Sequence, residues 1–125
     1  MSLKCKDEQV LRGCFKKPWH PILIDVYVWL YGRYKEKLLI TCSYRTPEHP
    51  NDLHGIDVTL RALDFRSRNF EDPEQVAKEI NMNWTYDPNR PEKKVAIFHE
   101  TFDKNGVSRG FHFHIQVCQN TIFEA

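Results

Sequence analysis

Apolar and polar residues alternate along "GFHFHIQV", residues 110–117. In a β-strand, residues two apart point to the same side. Phe111, Phe113, Ile115 and Val117 therefore share one face, expected to be core, while His112, His114, Gln116 and Cys118 share the other. A second alternating run, "RALDFRS", sets Leu63 and Phe65 on one face and Ala62, Asp64 and Arg66 on the opposite one. "LLITCSY" reads as a buried strand. "KVAIFHETF" reads as a strand joined to the histidine strand through "DKNGVSRG", whose Asn105-Gly106 is a strong turn signal.

Two stretches follow helical spacing instead. "DPEQVAKEINMNW" offers Asp72 as N-cap, Pro73 at the first helical position, and an apolar stripe of Val76, Ala77, Ile80 and Trp84. In "PWHPILIDVYVWLYGRY", Ile22, Val26, Trp29, Leu30 and Arg33 approximate helical spacing, yet Ile24, Val26 and Val28 also fit strand alternation. Length and the Pro21 start favour a helix. Trp29 and Trp84 are expected in the core, and "RTPEHPNDLHG" reads as a long turn-rich loop. The pattern is α+β: a small antiparallel sheet with flanking helices, ending in an antiparallel hairpin.

Composition narrows the class. The chain has 125 residues, enough for one compact domain over 1–125. With 41% hydrophobic and 28% charged residues, a folded globular protein is expected. A net charge of +1 argues against a nucleic-acid partner, which calls for a concentrated basic face. Cys5, Cys14, Cys42 and Cys118 form no C-x-x-C pair, so a structural cysteine zinc site is not expected. The N-terminus lacks the apolar core of a secretory signal, and the run "PILIDVYVWLYG" contains Asp25 and is too short to span a membrane. The expectation is a soluble monomer with no membrane partner, cytoplasmic or, as a phage product, released on lysis.

The candidate chemistry lies with the histidines. Two imidazoles on one strand face are a starting point for a metal or acid–base site. Partners must come from elsewhere, and His54 in "NDLHG" and Asp64 in "RALDF" are the candidates. A carboxylate and two imidazoles form a three-ligand zinc site whose fourth position is left to water, as catalysis requires. Same-face neighbours on a strand stand about 6–7 Å apart at Cα. One of His112 and His114 then takes the metal and the other stays over the water or substrate, as general base or charge stabiliser. His99, in "IFHET", is a rival base on the neighbouring strand, with Glu100 pointing the other way. The alternative for Asp64 is an ion pair with Arg61 or Arg66 on a solvated face.

"ITCSYRTPEHP", "LHGIDVTLRALDFRS" and "GFHFHIQV" together resemble the zinc D-Ala-D-Ala carboxypeptidases and their phage endolysin relatives, which share a fold with lysostaphin-type peptidases and the hedgehog signalling domain. The resemblance spans residues 18–118. It implies a hedgehog/DD-peptidase fold and a zinc ion held by His54, Asp64 and His114. It makes His112 the catalytic residue beside the last ligand, and Arg45, with Ser43, the holder of the substrate's carboxylate or scissile carbonyl. The implied activity is that of a zinc metallopeptidase hydrolysing an amide bond in peptidoglycan stem peptides or a similar small peptide. The alternative is a metal-stabilised, non-catalytic binding or phage structural domain of the same fold. The chain departs from the family's Ser-x-His-x-x-Gly-x-Ala-x-Asp pattern: the residue seven before Asp64 is Asp57, and His54 is ten before it. Either the loop holds three extra residues, which Gly55 beside His54 favours, or Asp57 takes the ligand's place. The usual glutamate upstream of the last ligand is missing.

Overall fold

Helix α1 (Glu8–Gly13) starts where the Asp7 carboxylate accepts a hydrogen bond from the Val10 amide, and Arg12 pairs with Glu8 one turn back. The computed structural model describes residues 2–44, 50 and 58–124. Helix α2 (Pro21–Tyr34) has Pro21 in its first turn and His20 as N-cap, whose Nδ1 accepts from the Ile22 amide. The helix is the right reading of this stretch, and its buried stripe is Leu23, Val26, Tyr27 and Leu30, a spacing of three and four. Ile24 and Val28, which also fit strand alternation, face solvent. The helix stops at Lys35, whose φ of 38° lies in the left-handed region, and a short 3₁₀ turn (Lys35–Lys37) leads into the sheet.

Strands β1 (Ile40–Cys42) and β2 (Ala62–Arg66) come next. Helix α3 (Pro73–Asn83) follows, with Asp72 accepting from the Gln75 amide as the spacing predicts. Strand β3 (Trp84–Thr85) continues directly from α3. Strands β4 (Ala96–Phe102) and β5 (Ser108–Gln116) form the hairpin, and β6 (Ile122–Phe123) returns to pair with β3. The hairpin turn is held by Asp103, whose Oδ1 accepts from the amides of Asn105 (2.8 Å) and Val107 (3.0 Å). Gly106 supplies the φ of +80° that this turn requires.

The main sheet is antiparallel throughout, in the order β1-β2-β5-β4. Among the described residues the fold is therefore α+β, a small four-stranded antiparallel sheet and a two-stranded β3–β6 pair with three helices. One face carries Leu63, Phe65, Phe113 and Ile115 into the core, where Tyr27 of α2 meets Phe65 edge-on and Phe70 meets Phe113 at 5.4 Å. Each such side chain removed from water contributes about 1.5–3 kcal/mol. Glu79 of α3 ties the two long helices by accepting from Arg33 and from the Tyr34 hydroxyl. Trp84 is buried as expected, and Trp29 packs against it partly exposed.

Phe111 departs from the alternation argument: it is 57% exposed rather than core. The pairing of β2 with β5 ends at His112, so Phe111 lies beyond the part of the sheet that has β2 beside it. Its ring stacks instead on Phe98 of β4, 5.2 Å away. Helix α1 and the β3–β6 pair are further elements that the periodicity did not reveal. No helix among the described residues is long and apolar enough to cross a membrane.

Candidate functional site

The second face of the sheet gathers the polar residues. Antiparallel register sets Asp64 directly opposite His114 and Arg66 opposite His112, and on the far side His99 opposite His112. Directly opposed residues project to the same face, so three strands contribute to one cluster. Asp64 and His114 come together although they are 50 positions apart in sequence.

The centre is a buried carboxylate. Asp64 is 6% exposed. Its Oδ1 lies 2.9 Å from His114 Nδ1 and its Oδ2 3.4 Å from His112 Nε2. Both imidazoles are themselves largely covered. A carboxylate so withdrawn from water must be matched by positive charge or by hydrogen bonds. Among the described residues, the His112 and His114 rings stand within reach of it. Arg61 donates to the Val117 carbonyl (3.0 Å) and the Tyr86 hydroxyl (3.2 Å).

Gln116 sharpens the arrangement. Its side-chain Nε2 donates to the Lys94 carbonyl at 2.8 Å, which turns its Oε1 toward His114 Nε2, 3.1 Å away. An amide oxygen only accepts, so His114 Nε2 carries the proton. A neutral ring then presents a bare Nδ1 lone pair to the Asp64 carboxylate, two acceptors at hydrogen-bond distance. The contact is favourable only with a proton or a metal cation between them. Gln116 was placed on this face by alternation alone; its position two residues after His114 is the signal that it orients the ring.

His99 of β4 completes the row. Its ring meets that of His112 at 4.9 Å, nearly edge-on, and that of His114 at 6.4 Å. His99 is exposed, yet partial desolvation and then the nearby His114 hold its pKa below the ordinary histidine value, with Asp64 pulling the other way. The choice between His99 and Glu100 as the site-facing residue is settled by register. Glu100 lies on the opposite face and accepts from the Ser108 hydroxyl at 2.7 Å. Cys42 pairs with Asp64 across β1–β2, next to a register shift in β1.

The remaining expected residues divide in two. Ser43 is buried, and its hydroxyl donates to the Val10 carbonyl at 2.7 Å, where it anchors α1 to the end of β1. Its proton is thus committed within the protein, unlike that of a substrate donor. Arg45 and His54, together with Asp57, lie outside the described residues. Among the described residues, no group of three or more His, Cys, Asp or Glu side chains is arranged to hold a metal ion. Asp64 and His114 bring two donors of the types zinc takes, a carboxylate oxygen and an imidazole nitrogen. No family model matches the chain, and neither the curated proteins nor the solved structures compared with it give a match.

Proposed function

We propose that the Asp64–His112–His114 cluster is the centre of a zinc-dependent peptidase of the D,D-carboxypeptidase or endopeptidase type, acting on an amide bond of a peptidoglycan stem peptide or similar small peptide. The observation that carries this reading is the 2.9 Å approach of His114 Nδ1 to the Asp64 carboxylate, with Gln116 Oε1 3.1 Å from the other ring nitrogen. The contact calls for a proton or a metal cation between the two atoms. Asp64 and His114 would hold zinc together with His54, the third residue of the resemblance. Zinc bound there would act as a Lewis acid on the scissile carbonyl and bring the pKa of a water down to about 7.

The chain's own residues supply the rest. His112 lies 3.4 Å from Asp64 Oδ2 with its ring against His99, which supports a role in proton transfer at the reacting amide. His99, whose pKa is depressed, keeps its neutral form to lower pH and faces the same space as a second proton acceptor. Gln116 fixes the orientation of His114 by bonding its far nitrogen. Arg45 would take the anionic end of the substrate, by the same resemblance.

The test is the metal content of purified protein after zinc is offered at neutral pH, in wild type and in Asp64→Ala and His114→Ala. About one zinc per chain is expected in wild type, with both variants losing it. His112→Ala should keep the metal and lose muropeptide cleavage, by at least about a hundredfold. A wild-type protein that takes up no zinc overturns the reading. Zinc uptake without cleavage of muropeptides assigns the domain to metal-stabilised binding instead.

A further inference from the structure

Strand β4 forms one edge of the main sheet, and its outer side is open over a short window. In an antiparallel pair the N–H and C=O of one residue point to the same side, and successive residues alternate. The Val95 carbonyl accepts from the Gln116 amide, so Val95 points inward to β5. Ala96 points outward, and both its groups are taken by the side chain of Asn81. The Ala96 amide donates to Asn81 Oδ1, and Asn81 Nδ2 donates to the Ala96 carbonyl, each at 2.9 Å. By the same alternation Ile97 and His99 point inward, and Phe98 and Glu100 point outward. No described residue bonds to their outward N–H and C=O groups. Beyond them the register shift at Thr101/Phe102 ends the regular edge.

Edges of natural sheets are usually blunted by lysine, proline or inward-pointing charge. The stretch Phe98-His99-Glu100 contains neither lysine nor proline, and the Glu100 carboxylate accepts from the Ser108 hydroxyl. The two faces beside this window differ. His99 projects to the face of Asp64, His112 and His114, whereas Phe98 projects to the other, where it stacks on the exposed Phe111.

We infer that the outer edge of β4 binds a short extended peptide as a fifth strand, through the backbone groups of Phe98 and Glu100. The side chain opposite His99 then lies on the histidine face, and its neighbours pack beside the Phe98–Phe111 rings. The occupant is a peptide of a few residues with small or apolar side chains. A second copy of the chain is disfavoured by the length of the seam. Asn81 closes one end and the register shift the other, leaving four bonding groups, whereas stable protein interfaces typically bury about 1,200–2,000 Å². The inference deepens the peptidase reading and rests on it for the fate of the bound peptide, but the binding itself needs no metal.

The experiment uses isotope-labelled, zinc-free full chain and acetyl-tetraalanine amide, with amide shifts and hydrogen exchange read by NMR. At saturating peptide the Phe98 and Glu100 amides should exchange at least about fivefold more slowly, and the same peptide N-methylated at every alanine should bind at least about tenfold more weakly. Unchanged exchange at both amides, or equal binding of the methylated peptide, overturns the inference. Slowed exchange that grows with protein concentration in the absence of peptide also overturns it, by assigning the edge to self-pairing. Because the protein is metal-free, a failure of zinc uptake leaves this result standing, and the two failures are told apart.

Discussion

His99 is where the electrostatics of the site are most readily measured. Ordinary histidine titrates near pH 6.5, and partial desolvation of this exposed ring together with His114 holds the folded value lower. Between the two values the unfolded chain binds more protons than the folded one. The His99 contribution to stability is therefore full above pH 6.5 and declines as the pH falls through that window. An NMR titration of the zinc-free protein should give His99 a midpoint below 6.5, and His99→Gln should remove that part of the acid sensitivity. A midpoint at or above 6.5 would contradict the packing described for this ring. Gln116 offers a second check at this scale. At the proposed zinc site, Gln116→Leu removes the acceptor at His114 Nε2, so zinc affinity should drop roughly 10–100-fold while the fold persists, as competition with a chelator would show.

Among the elements, α2 and the β4–β5 hairpin each rest on a feature that mutation can isolate. Leu23 is fully buried on α2 and Ile24, its neighbour, is 47% exposed. Leu23→Ala should cost about 2–5 kcal/mol, whereas Ile24→Ala should cost well under about 1 kcal/mol, by denaturant unfolding. Similar costs at both positions would mean that the helix buries a different stripe. In the hairpin, Gly106 has a φ of +80° and open space around it. Gly106→Ala should therefore destabilise through backbone strain alone, by about 1–2 kcal/mol. Gly13 is the contrasting case. A Cβ there would meet Ser43 Oγ at 2.2 Å, so Gly13→Ala must displace the hydroxyl that anchors α1 to the end of β1.

For the molecule as a whole, the sheet divides labour between its faces. Phe65, Phe113 and Ile115 pack against the helical layer, and the reverse face is left for Asp64 and the histidines. The separation explains how a buried carboxylate can sit in so small a domain: the charge is matched across two strands while the opposite face supplies the cohesion. Phe113→Ala should cost about 3–5 kcal/mol, since its ring meets both Phe70 and Phe98. Because His112 and His114 flank Phe113 on the same strand, that variant should also loosen the site. The combined readout is a lower melting temperature together with weaker zinc uptake. A stability loss with unchanged zinc affinity would show that the two faces are independent.

Local patterning determined the elements with strong signals: the Asp72–Pro73 start of α3, the Pro21 start of α2, the Asn105-Gly106 turn, and the alternation that put His112, His114 and Gln116 on one face. These are short-range effects, set by capping, backbone preference and side-chain period, and they survive in almost any tertiary setting. An acid on a strand otherwise suited to burial made Asp64 a candidate partner for those histidines. Only the tertiary structure decided that β2 lies between β1 and β5 in a register that brings the Asp64 carboxylate to 2.9 Å from His114. It likewise decided that His99, and not Glu100, faces them, and that Phe111 runs out past the end of β2 into solvent. Strand order, register and the point where a pairing stops depend on contacts between residues far apart in the chain, which no local period encodes.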